Sequence, residues 1–333
     1  METSKKSAGK MLVNWAAVIV LVLSIIIFSL AKGAAFFSLS NLTTILRSMS
    51  TVTIFALAAT VSMAPDGFDM AAGTLGTFCA YVFASFLLWF GMPLWLCIIC
   101  TILFAMVMYL LTMFLILVCK VPDMLATCAL QFVHTGLGLA YTGGGSVSAG
   151  MNAQPWAKIF KGDDLAPASG WTPASKAIGT DPWVIIVMLI CVAICFILLE
   201  RTKYGRYLYA MGGNKTAAKL SGINVKKMRF MAGMFAALFI AIGGIVVCSK
   251  SQAAQVNGSD GYLMTSLAAV FIGRSIGGRE KYNAIGTAIG ALLITVLENG
   301  LTMMGVVYYI LPAVKGAVLC LALVAAYATS KDE

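Results

Sequence analysis

Uncharged or nearly uncharged apolar runs follow one another along almost the whole chain, at 11–31, 42–63, 70–90, 93–118, 124–141, 183–199, 230–249, 262–273, 283–307 and 308–328. Most approach the ~20 residues that a helix needs to cross a hydrocarbon core about 30 Å thick. Without water to satisfy backbone groups there, spanning segments are helices or a closed barrel. Long unbroken runs select helices over alternating strands. The pattern predicts an all-α polytopic membrane protein with about ten transmembrane helices, forming one transmembrane domain over 1–333. The 262–273 run is short for a full crossing, which predicts a half-helix or re-entrant piece. The first run is too long, and too poor in a small-residue cleavage site, for a secretory signal, so it is read as a retained span.

The segments between the runs set the orientation, because short cytoplasmic loops retain Lys and Arg. With the N-terminus inside, sixteen of the 23 Lys and Arg residues fall on the cytoplasmic side and only Lys32, Lys158, Lys161, Lys176 and Lys250 outside. Both termini are therefore expected in the cytoplasm, with residues 1–10 as a cytoplasmic tail. The long outer loop, 142–182, carries Trp156 and Trp171 and leads to Trp183, residues suited to a membrane interface. The long inner loop, 200–229, carries eight Lys/Arg around the single acid Glu200. Arg47, near the outer end of the second span, reads as a snorkelling anchor.

Composition narrows the chemistry. The 60% hydrophobic and 11% charged residues exclude a water-soluble globule, for which about a quarter charged would be expected. A net charge of +10 suggests nucleic acid only when it lies on one soluble face; here it is distributed by topology, and no nucleic-acid partner is expected. The nine cysteines sit almost entirely in apolar runs, where the thiol behaves as a small hydrophobe, so Cys97 and Cys100 are read as packing rather than as a redox or zinc pair. The only histidine is His134, which leaves no partner for a triad and favours a packed or substrate-lining role. Residues Gly212 to Thr216 approach a phosphate-binding loop, but Asn214 stands where its last glycine belongs and no strand precedes it. No catalytic site, metal or resident cofactor is expected, and ATP hydrolysis is not expected of the chain by itself.

Within the inner loop, Gly212 and Gly213 break the chain, Asn214 is placed to cap a short helix running through Leu220, and Gly222 to stop it. Ala217, Ala218 and Leu220 would give that helix a small apolar surface suited to a partner's groove. The alternative is a loop that merely obeys charge topology and touches anionic lipid. Polar residues inside spans are costly and usually functional. Asp66, Phe68 and Asp69 lie where Pro65 and Gly67 break a helix, as a substrate path or gate, or as structural acids at the cytoplasmic rim. Gln131, His134 and Tyr141 share one helical face, offering either partners for solute hydroxyls or interhelical hydrogen bonds. Glu298 and Asn299 lie late in the ninth run, and an antiparallel hairpin would bring Glu298 to Lys315, as an ion pair, a path acid, or beside a snorkelling lysine.

The inner loop resembles the coupling-helix loop of inner-membrane permeases from ribose/xylose/galactose-type ABC importers. The shared positions are Gly205, Arg206, Tyr209, Ala210, Gly212, Gly213, Asn214, Ala217, Ala218, Ser221, Gly222, Ile223 and Val225. The likeness extends to Phe37, Asn41 and Leu42, to Lys120 and Val121, and to the stretches 268–278, 286–290, 299–301 and 315–317. Departures stand at Ala71, where that family usually has Ser, at Arg274 and at Glu298. The resemblance implies passage of a monosaccharide or similar small polar solute, brought by an extracytoplasmic binding protein. It also implies a second permease chain, identical or a sister, and an ATP-binding subunit whose ATP and magnesium supply the drive through Gly205, Arg206, Gly212 to Asn214, Ala217, Ala218 and Leu220 to Gly222. From the residues alone, a stand-alone ion- or proton-coupled carrier is the main alternative, and a membrane-embedded enzyme or scaffold the weaker one.

Overall fold

Every apolar run before residue 308 carries a helix. The computed structural model describes residues 15–151, 154–157, 170–276, 281–307, 309–314 and 316–317. The first five runs give α1 (Ala16–Lys32), α2 (Leu39–Met63), α3 (Ala72–Leu88), α4 (Leu94–Leu117) and α5 (Asp123–Thr142). A short α6 (Pro173–Ile178) precedes α7 (Trp183–Phe196), which ends in a π-helical turn, Ile197–Arg201. Then come α8 (Lys203–Gly213), α9 (Lys215–Leu220), α10 (Val225–Ser251), α11 (Tyr262–Ser275) and α12 (Ala284–Met303). Two residues of β1 (Val147–Ser148) pair antiparallel with β2 (Ala253–Ala254).

Among the described residues, seven helices are long and apolar enough to cross a membrane. Helix α1 is one of the seven through the 3-10 turn that extends it to Ala35; the 17-residue α3 has no such extension, and the 14-residue α11 reaches only about 21 Å at 1.5 Å per residue. A non-helical stretch at 252–261 leads into α11, in keeping with the expected half-helix. The tenth run lies mostly outside the described residues, as do the tail 1–10 and Lys315, so the expected Glu298–Lys315 pair falls outside them too.

The centre of the bundle is α2, packed against α7, α10, α11 and α12, while α10 also packs on α3 and α4. Its small polar residues Ser50, Thr51, Thr53, Thr60 and Ser62 are buried, and two of them bond back along the helix: Ser50 donates to the Leu46 carbonyl and Thr60 to that of Ala56. Lipid offers no hydrophobic drive between helices, so such compact side chains, which allow close approach, are favoured at these contacts.

Three local expectations are corrected. Arg229 is not a loop residue: Asn224 accepts the Lys227 amide hydrogen and caps α10, so the helix starts before Arg229 and carries it inward to 6% exposure. Arg47 does not anchor to the bilayer surface alone, since its Nη2 donates to the Gly179 carbonyl at 2.8 Å. Of the three tryptophans expected at the interface, Trp183 is exposed, but Trp171 is buried against Phe83. Trp156 packs tilted against Tyr141 and edge-on against Trp89, its indole N–H donating to the Tyr141 carbonyl at 2.9 Å. That end of the bundle is closed by an aromatic cluster.

Candidate functional site

At the opposite, basic end the chain leaves α7 through its π-turn and makes an elbow. Thr202 caps α8, its hydroxyl oxygen accepting from the Gly205 amide and donating to the Leu198 carbonyl at 2.7 Å. Gly205 lies directly on the Leu198 and Leu199 carbonyls, and Gly212 on that of Ala64, leaving no space for a side chain at either. Leu208 and Met211 are buried on the same face. These glycines therefore seat α8 on the bundle, and the break expected at Gly212 and Gly213 comes one residue later, because α8 runs through both glycines to its C-cap at Asn214.

The short helix α9 forms where the sequence placed it. Asn214 is extended and its Oδ1 accepts the Ala217 amide hydrogen at 2.9 Å. At the other end Gly222 has φ of +82°, a conformation that costs glycine little, and the Ile223 amide donates back to the Ala218 carbonyl at 3.1 Å. Ser221 bonds the Ala217 carbonyl. Lys215, Thr216, Ala217 and Lys219 are exposed, as is Arg206 on α8, and Leu220 is 84% exposed. Ala218 departs from expectation: at 4% exposure it faces inward, because a one-and-a-half-turn helix lying on a bundle must turn one residue of its short apolar set toward it.

The turn between α2 and α3 holds the acids read as path or gate. Asp66 is exposed, with φ of +60°. Asp69 is 5% exposed and its carboxylate accepts from the Ala71 amide at 2.8 Å and the Tyr109 hydroxyl at 2.9 Å. Beside it, Arg229 donates to the Ser62 carbonyl and pairs with Asp123, its guanidinium filling the space over Gly67. The Met70 amide donates to Thr127. Asp69 is thus held in a structural network that joins α2, α4, α5 and α10, and Phe68 packs half-buried on the core. Sequence reasoning missed Arg229 and Asp123; Asn224 as a cap, with the helix starting behind it, was the signal that could have found Arg229.

The remaining candidates do not converge. On α5, Gln131 is half-buried, while His134 is 1% exposed with neither ring nitrogen partnered among the described residues. Its ring borders a cavity of about 10 Å³ shared with Thr77 and Asp260, room for a single water and too small for a sugar. Tyr141 shares a 2.6 Å hydrogen bond with Ser85 within the aromatic cluster. Glu298 borders a larger cavity of about 430 Å³ between α11, α12 and Leu311, Pro312, Val314 and Gly316, within the roughly 300–1,000 Å³ of small-molecule sites. Asn299, next to it, has a buried Oδ1 without a partner among the described residues.

A family model described as the permease component of branched-chain amino acid transport systems matches residues 41–327. The chain belongs to this permease family. The permease is 29% identical over 302 residues to the ribose import permease RbsC of Escherichia coli strain K12, covering 91% of this chain and 89% of that protein. It is 28% identical over 290 residues to the fructose import permease FrcC of Rhizobium meliloti, covering 86% and 78%. Its fold is similar to that of a metal-chelate-type ABC transporter solved in an inward-facing conformation, with a TM-score of 0.50, 18% identity, and coverage of 95% of this chain and 99% of that one. The permease is a multi-pass membrane protein and a transport component rather than an enzyme, and the resemblance read from the inner loop is borne out.

Proposed function

We infer that this permease imports a monosaccharide or similar small polar solute through the inner membrane of a bacterium, as one subunit of an ABC importer. Residues 1–333 form one transmembrane domain with both termini and the basic end in the cytoplasm. A binding protein delivers solute outside, a second permease chain completes the path, and an ATP-binding subunit docks on α9. ATP and magnesium belong to that partner, and this chain has no ATPase site of its own.

The observation that carries the reading is α9 itself: a helix satisfied at both ends by Asn214 and Gly222, yet presenting Leu220 at 84% exposure amid exposed lysines. A large apolar side chain left in solvent at the end of a rigid, capped helix is an anchor for a groove. The match to ribose and fructose import permeases supports the solute class. Among the candidate path residues, Glu298 and Asn299 are the strongest, because Glu298 borders a cavity of suitable size between α11 and α12; Asp66, Phe68, Asp69, Gln131, His134 and Tyr141 are supporting or structural.

The test is purification from the native host in mild detergent. The chain should bring an ATP-binding subunit with it, and Leu220→Asp should abolish both that association and accumulation of labelled ribose or fructose, with membrane levels unchanged. Association that survives Leu220→Asp, or uptake that follows the proton gradient instead of ATP, overturns the reading in favour of a stand-alone carrier.

A further inference from the structure

Between the exposed helix α9 and the interior stands α8, and one of its side chains reaches an element far away in sequence. The Tyr209 hydroxyl donates to the Tyr282 backbone carbonyl at 2.7 Å, on the segment that joins α11 to α12. The same hydroxyl lies 3.4 Å from Glu200 Oε1, so the two acceptors compete for one proton and the closer carbonyl holds it. Tyr282 is held in turn: its ring lies under the Arg274 guanidinium, which also donates to its hydroxyl at 3.2 Å. Burial first, and the neighbouring Glu200 carboxylate second, raise the Tyr209 phenol well above its ordinary range, so the donor hydrogen is retained.

What Tyr282 is attached to is packed backbone against backbone. Gly273 and Gly286 bring the backbones of α11 and α12 into contact where no side chain fits, and Gly290 does the same against Ala269. Close-packed interfaces of this kind shift as bodies rather than deform. The hairpin also packs along the central helix, where Thr60 and Thr287 share a 2.7 Å bond, Ser266 donates to the Val52 carbonyl and Tyr262 stacks on Phe55. Along that hairpin lie Met264, Thr265, Leu297 and Glu298, which border the cavity of about 430 Å³.

We propose that Tyr209 is a positioning residue that passes motion of the docked ATPase from α8 to the α11–α12 hairpin, so that ATP use opens and closes the Glu298 cavity. The proposal rests on the reading of α9 as the ATPase contact. The ring of Tyr209 matters for packing, whereas the hydroxyl matters only for transmission, so Tyr209→Phe separates the two.

The experiment follows maleimide labelling at Met264→Cys, read at that residue by mass spectrometry, in native-host membranes with ATP and then with ATP plus vanadate. With Tyr209 intact, labelling should change between the two conditions. Tyr209→Phe should reduce that change about fivefold, the order set by one lost hydrogen bond, while the ATP-binding subunit still co-purifies in full. Tyr282→Phe, which keeps the accepting carbonyl, should stay within about twofold of the parent. A Tyr209→Phe chain that keeps the full change, one that loses its ATPase, or a Tyr282→Phe chain equally impaired would each overturn the assignment. Absence of the ATP-binding subunit from the parent chain would instead overturn the docking reading beneath it.

Discussion

Two turns at the basic end of the bundle are both touched by α8, and they are built differently. The turn between α2 and α3 is fixed from every side. Asp69 is bonded by Tyr109 and Ala71, Arg229 grips Ser62 and Asp123, and Gly212 of α8 seats against Ala64. The segment between α11 and α12 is held to α8 by the Tyr209 hydroxyl, with Lys281 lying over the Tyr209 ring. A buried charge network resists displacement because breaking it strands a desolvated ion, whereas one neutral hydrogen bond costs little to stretch or re-form. Push on α8 from outside, and the first turn acts as fulcrum while the second carries the load.

The largest effect should come from breaking the fulcrum. Arg229→Ala leaves Asp123 without its ion-pair partner and the Ser62 carbonyl with only the Gly67 amide as donor, at a cost of about 3 kcal/mol, read as a lower unfolding temperature in detergent and reduced membrane yield. Asp69→Ala strands the Ala71 amide and leaves the Tyr109 hydroxyl with only the longer contact to Ser62, and should cost about 2 kcal/mol in the same assay. Thr287→Val, on the moving side, should cost only about 0.6 kcal/mol, typical of an interhelical bond in a membrane. Loosening the hairpin from α2 should nonetheless enlarge the ATP-dependent labelling change at Met264→Cys, the opposite sign to Tyr209→Phe. Equal stability losses at Arg229 and Thr287 would erase the distinction between the turns.

Much of this architecture could be read before any coordinates. Hydropathic runs located the helices because each spans lipid largely on its own terms, and Asn214 and Gly222 located α9 because capping is decided within a few residues. The candidate site was less legible for a matching reason: its contacts are decided at long range. A helical wheel puts Gln131, His134 and Tyr141 on one face, but Ser85 and Trp156 decide that Tyr141 belongs to an aromatic cap. Counting positive residues for topology assigns Arg229 to a loop, since such a count carries no term for burial. Tyr209 stood inside the recognised motif, yet its acceptor lies 73 positions away, beyond the reach of any local pattern.

The seam of the α11–α12 hairpin and the wall of its cavity have no residue in common. Ala269, Gly273, Gly286 and Gly290 make the first, and Met264, Thr265, Leu297, Glu298 and Leu301 belong to the second. On the proposed coupling, substitutions in the cavity wall would change what fits there while the glycine joint between the two helices stays as it is.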